Sequence, residues 1–186
     1  VSTYQAASGA GIAGLRELEE QTRQYLAGEK VVPEVFQYQL GFNLIPQIDV
    51  FEDNGYTKEE LKMLYEARKI MHLPELPVSA TAVRVPVSRS HSESINIETE
   101  RKLTAAEARQ ILAGAPGIIV QDGPAAQKYP MPLFAAHTDE VYVGRIREDL
   151  WIEKGLNIWV SADQIRKGAA TNTIQIGEIL IKENLV

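Results

Sequence analysis

The sequence predicts an α/β fold of the α+β type, a mixed β-sheet covered by helices. Two capping boxes, Thr57 with Glu60 and Thr104 with Glu107, each open a stretch of helical spacing. Valines at 83, 85 and 87 and isoleucines at 95 and 97 alternate with polar neighbours, the period of a strand with one covered face. These patterns interleave along 186 residues that are 45% apolar and 24% charged, enough chain to bury one sizeable core. One domain over residues 1–186 is the expectation.

Val1, Ser2, Thr3 and Tyr4 are β-prone and begin without a cap or turn, so the chain reads as if a strand had been cut from what precedes it. Ser8 and the glycines after it lead into a helix in which Ile12, Leu15, Leu18, Thr22, Tyr25 and Leu26 recur at helical spacing, with Gly28 as the stop. Residues 31–53 read as extended segments and loop, closed by the turn signal Asp53-Asn54-Gly55. A helix follows over 58–70, then strands over 78–87 and 94–98 and a short helix through Leu112 that Gly114 and Pro116 close. Residues 118–120, 141–146 and 156–160 are further strands, and 167–184 form a helix whose apolar residues need a partner.

A net charge of −6 argues against broad attraction to nucleic acid or an anionic membrane, so neither is an expected partner. No apolar run approaches the roughly 20 residues that span a bilayer, and no leader pattern opens the chain. A cytoplasmic protein is expected. The absence of cysteine excludes disulfides, thiolate metal sites and a thiol nucleophile within these residues.

Residues 83–93, VRVPVSRSHSE, carry the clearest chemistry. A guanidinium at Arg84 grips a carboxylate through two parallel hydrogen bonds, and an imidazole at His91 moves protons near neutral pH. On one unbroken strand the two would face opposite ways, so they work together only if the chain bends, as Pro86 and the serines after it favour. The bland alternative is an exposed ion pair at Arg84 and a loop histidine at His91. Glu59 and Lys62 share a face of the second helix, able to meet an ammonium and a phosphate, or simply to form a solvated surface. Residues 9–14 match GxGxxG, but no acidic second strand of a dinucleotide fold follows, so the glycines are read as close-packing positions before a bare helix N-terminus. His72, His91 and His137 are isolated, so no metal site is expected, and no GxSxG elbow supports a serine hydrolase.

Taken together, STYQAASGAG, IPQIDVFEDNGYTKEELK, SATAVRVPVSRSHSE, YPMP, DEVYVGRIR, GLNIWVSADQIRKGAATN and the terminal helix resemble the catalytic and dimerisation domain of the aspartate-semialdehyde dehydrogenase family. The resemblance runs in order over essentially the whole chain. It implies a sheet-and-helix architecture like the C-terminal domain of glyceraldehyde-3-phosphate dehydrogenase-like enzymes. The implied activity is NADPH-dependent reductive dephosphorylation of β-aspartyl phosphate to aspartate 4-semialdehyde, a step of lysine, threonine and methionine biosynthesis.

By the same resemblance, Gln5 orients the substrate beside a thioester, Arg84 binds its carboxylate, Glu59 its amine, and Lys62 the phosphate. His91 is then the general acid/base, and Ser8, Gly9 and Gln164 are contacts to NADP. The family's nucleophilic cysteine and N-terminal nucleotide-binding domain have no counterpart in these residues, which implies a partner domain, inactivity of the chain alone, and a terminal helix that packs on that domain. A homodimer is implied as well. Ala82 stands where many relatives carry a second, non-catalytic cysteine. The alternatives are a dimerisation scaffold with a vestigial site, or another acyl-phosphate reductase such as N-acetylglutamyl-phosphate reductase; the pairing of Arg84 with Glu59 favours a free amino acid over an N-acetylated one.

Overall fold

The computed structural model describes residues 1–186, which divide into two compact units, residues 1–88 and 89–186. In the first unit β1 (Ser2–Gln5) and β2 (Thr81–Arg84) lie parallel, with Thr3 opposite Ala82 and Gln5 opposite Arg84. A parallel pair needs a long crossover. Residues 6–80 supply it, with α1 (Gly11–Ala27) and α2 (Lys58–Ile70) inside the crossover. Because strand side chains alternate, Thr3, Gln5, Ala82 and Arg84 fall on one face, and all four are buried.

The outer edge of β2 is closed rather than left open. Ala82 donates its N–H to the Glu60 carboxylate at 2.9 Å, and Arg84 exchanges backbone hydrogen bonds of 2.8 and 3.0 Å with Ile45. Glu60 also completes the capping box of α2, so one side chain starts the helix and covers the strand edge. In α1 the apolar stripe is narrower than its spacing suggests. Leu18 is buried with Ala7, Phe36, Leu40 and Ile45, worth about 2 kcal/mol for such a side chain, whereas Ile12, Tyr25 and Leu26 are exposed. Gln21 is buried instead, donating to Glu17 and accepting from the N–H groups of Leu40 and Gly41.

The second unit is a four-stranded mixed sheet in the order β3 (His91–Glu98), β6 (Gly155–Ala162), β5 (Val141–Glu148), β4 (Ile118–Val120). The first three strands are antiparallel and β4 joins β5 in parallel. α3 (Ala105–Ala113) contributes Ala108 to a core with Val143, Ile146 and Leu156. A single helical turn, α4 (Pro132–Ala135), and α5 (Thr171–Lys182) complete the unit, α5 after a π turn over Arg166–Ala170. No helix is long and apolar enough to cross a membrane.

The expected helices and strands are all present, but strand limits move: β5 runs on to Glu148 and β6 spans Gly155–Ala162, and the changes in β2 and β3 have a clear cause. β2 is limited to four residues because β1 offers only four for pairing. β3 begins at His91 rather than 94, because its antiparallel partner runs on to Ala162 and the hydroxyl of Ser92 donates to that of Ser161 at 3.2 Å. Backbone pairing, invisible to an apolar alternation count, extends the strand through His-Ser-Glu.

Candidate active site

In the first unit the strand register sets Gln5 beside Arg84, and α2 brings Glu59 to them. The Gln5 amide donates to Glu59 at 3.1 Å and Lys62 donates to the other oxygen of that carboxylate at 3.1 Å. Gln5 is also 3.4 Å from the hydroxyl of Thr3. The Glu59–Lys62 pair raises the lysine pKa through its hydrogen bond first and its charge second.

Arg84 is the unusual member. It is 7% exposed, yet no carboxylate lies within 4.0 Å of its guanidinium. Its Nη1 donates to the carbonyl of Ala6 at 2.6 Å, and its Cζ lies 5.9 Å from the centre of the Phe36 ring. The guanidinium nitrogens that lack a protein partner keep contact with solvent. Burial lowers the arginine pKa and the nearby charge of Glu59 opposes that shift; the side chain remains cationic. The arrangement is a buried fork aimed at no protein anion. The exposed ion pair of the bland alternative is not what the structure holds.

Ser8 and Gly9 lie in the 3-10 turn Ala7–Ala10 that precedes α1. Ala7 and Ser8 donate backbone hydrogen bonds to Val87 and Ser88 at 2.8 and 3.1 Å, and no side chain caps α1. Gly14 explains part of the glycine pattern. A Cβ there would stand 2.8 Å from the Ala7 carbonyl oxygen and 3.0 Å from Phe36 Cζ, so the helix packs against the turn only with glycine.

In the second unit His91 opens β3 opposite Ala162, and its carbonyl accepts from Ser161 at 3.3 Å. The N–H of Ser90 donates to the Gln164 side chain at 2.9 Å, bringing His91 and Gln164 to the same end of the sheet. Beside them lies a group that sequence reading did not single out. Asp163 is fully buried and accepts from Arg89 at 2.6 and 3.3 Å and from the N–H groups of His137, Ile165 and Arg166 at 2.7, 2.9 and 3.0 Å. Burial works to raise its pKa, but Arg89 and these backbone donors outweigh it and hold the carboxyl below its ordinary value. Ser90 sits at φ 78°, a left-handed conformation that costs a serine roughly 1 kcal/mol, and its buried hydroxyl has no hydrogen-bond partner.

Thus Gln5, Glu59, Lys62 and Arg84 form one cluster in the first unit, which also carries Ser8 and Gly9, and His91 and Gln164 lie at one end of the sheet in the second. Arg84 and His91 do not share one unbroken strand, since β2 ends at Arg84 and β3 starts at His91. Phe36 and Asp163 were missed. Phe36 lies in a loop without periodicity; the only sequence signal for Asp163 was its place beside Gln164 in an otherwise characteristic motif.

A sequence family described as semialdehyde dehydrogenase, dimerisation domain, matches residues 1–167. Aspartate-semialdehyde dehydrogenase of Aquifex aeolicus (strain VF5) is 54% identical, over all of this chain and 55% of the relative. The Bacillus subtilis (strain 168) enzyme of the same name is 50% identical, over all of this chain and 56% of its own. The crystal structure of aspartate semialdehyde dehydrogenase II complexed with ASA, from Vibrio cholerae, superposes with a TM-score of 0.93 at 44% identity, covering 97% of this chain and 53% of that one. The chain spans about half the length of the curated relatives it matches.

Proposed function

Since the chain belongs to the semialdehyde dehydrogenase dimerisation-domain family, we propose that it is the substrate-binding and acid–base part of an NADP-dependent aspartate-semialdehyde dehydrogenase. The reaction is the reductive dephosphorylation of β-aspartyl phosphate: the acyl carbon loses its bond to the phosphate oxygen, gains a hydride, and leaves as an aldehyde with free phosphate. The observation that carries this reading is Arg84, a buried guanidinium with no protein carboxylate and solvent-reaching donors. Such a fork pairs with one carboxylate in two parallel hydrogen bonds.

The neighbouring groups suit the rest of an amino-acid substrate. Glu59 provides a carboxylate for the substrate ammonium, and Lys62, 56% exposed at its side chain and paired with Glu59, can swing to phosphate. Gln5, fixed between Thr3 and Glu59, orients the acyl group. For His91 we propose the general acid/base, taking a thiol proton and returning one to the developing alkoxide. The thiol comes from outside these residues, which contain no cysteine.

When bound, NADPH supplies the hydride for the acyl carbon. Ser8, Gly9 and Gln164 are the contacts this chain offers to it. The uncapped start of α1 and the open space where a Cβ at Gly11 would project fit close approach of a polar ring edge. The rest of the nucleotide is held by a separate nucleotide-binding domain, against which α5 packs, and the family's dimerisation role implies a homodimer of the complete enzyme.

The test is steady-state kinetics of the complete enzyme. Arg84→Ala should lower kcat/KM for aspartate semialdehyde by about 100-fold or more, the loss of a charge-assisted pair worth about 3 kcal/mol. The same substitution should matter little for a semialdehyde lacking the carboxylate. An equal loss on both substrates sinks the carboxylate role. Turnover of N-acetylglutamate semialdehyde and not of aspartate semialdehyde overturns the substrate assignment.

A further inference from the structure

Resting on the acid–base reading of His91, we propose that Arg89 and Asp163 are positioning residues: they form a clamp that takes over where the β3–β6 ladder ends and fixes the orientation of His91. The register pairs His91 with Ala162, so a continued ladder would place Ser90 opposite Asp163. The left-handed backbone of Ser90, at φ 78°, turns the chain out of the extended conformation and prevents that. In its place two side-chain contacts connect the strands with a shift of one residue. Arg89 grips the Asp163 carboxylate through Nε and Nη2, and Gln164 receives the N–H of Ser90.

Asp163 anchors the clamp because it also holds the backbone of His137, Ile165 and Arg166, tying the loop after α4 and the start of the π turn to one buried carboxylate. Its lowered pKa keeps it ionised at neutral pH, so the grip on Arg89 is charge-assisted. The strained Ser90 backbone and its unpartnered buried hydroxyl persist only where the surroundings over-determine the conformation. None of the clamp residues belongs to the apolar core of the unit, Ala108, Val143, Ile146 and Leu156. The clamp takes hold of Arg89 and Ser90, two and one residues before His91, where a loose chain would let the imidazole wander. A misplacement of about 1 Å in a reacting group costs about 100-fold in rate.

The experiment compares Asp163→Asn, His91→Ala and the two together in the complete enzyme. Asp163→Asn should lower kcat by about 100-fold while leaving KM for aspartate semialdehyde within about twofold. In the His91→Ala background it should cause no further loss, since a group that acts through His91 has nothing left to position. If Asp163→Asn does not fold, Arg89→Ala takes its place, because the Arg89 side chain is 24% exposed and Asp163 keeps its backbone donors. A folded clamp variant with unchanged kcat, or one that loses the same factor in both backgrounds, overturns the clamp. Full activity of His91→Ala overturns the reading beneath it, whatever Asp163 does.

Discussion

Arg84 shows what a residue type discloses and what only packing adds. A guanidinium in a strand before a serine-rich bend already suggests carboxylate recognition, but its value as a site depends on lying buried without a carboxylate, which no one-dimensional pattern reveals. Phe36 supplies that environment. Its ring lies under the guanidinium and also closes against Gly14, so one side chain holds the cation proposed to bind substrate and seats α1. Phe36→Leu keeps apolar volume but removes the π face, a change of about 1 kcal/mol in holding the cation. We expect a KM for aspartate semialdehyde raised about fivefold in the complete enzyme, with a small drop in melting temperature. An unchanged KM in a folded variant would show that the ring does not help to hold Arg84 ready.

Helices were legible in this sequence because their ends are written locally. Thr57 with Glu60 and Thr104 with Glu107 form capping boxes, and α2 and α3 start one residue after the threonine in each case. Thr57 is fully buried and Glu60 also serves the β2 edge, so Thr57→Ala should destabilise the protein by about 1–2 kcal/mol, read from denaturant unfolding. A loss below about 0.3 kcal/mol would mean that packing alone holds the start of α2. Strand limits were less legible because partners set them. His91 is a strand residue only because Ala162 lies opposite. The turn joining β5 to β6 is fixed by a carboxylate that alternation does not mark: Asp149 accepts from the N–H groups of Trp151 and Ile152 and from the amides of Asn157 and Asn96, which lower its pKa to about 2. A lowered carboxylate pKa stabilises the fold above the unfolded value near 4, with that stabilisation lost as pH falls through about 2. Carboxyl NMR titration should place the Asp149 midpoint near 2; a midpoint near 4 would show that these donors do not hold it.

At the scale of the molecule, the family resemblance was readable end to end, whereas the division of the candidate residues between two compact units was not, since no Pro/Gly-rich linker separates Ser88 from Arg89. Composition was equally silent about where the apolar surface goes. α5 buries no residue, and its exposed isoleucines lie on more than one side, with Ile174 and Ile181 a near-whole number of turns apart and Ile176 and Ile179 roughly opposite them. Thr171, Gln175, Glu178 and Lys182 leave only a narrow polar stripe between them, and a helix whose apolar residues take up most of its circumference is built to be covered. The proposed cover, a nucleotide-binding domain, makes opposite demands on two forms of the protein. In the 186-residue chain alone, Ile176→Lys with Ile179→Lys should leave the melting temperature nearly unchanged and reduce self-association in sedimentation velocity, because both side chains are more than half exposed. In the complete enzyme the same pair should be costly, since it forces two charges into an apolar contact, and thermal inactivation should come several degrees earlier. A complete enzyme indifferent to both lysines would place the covering surface elsewhere and leave the exposed face of α5 to another partner.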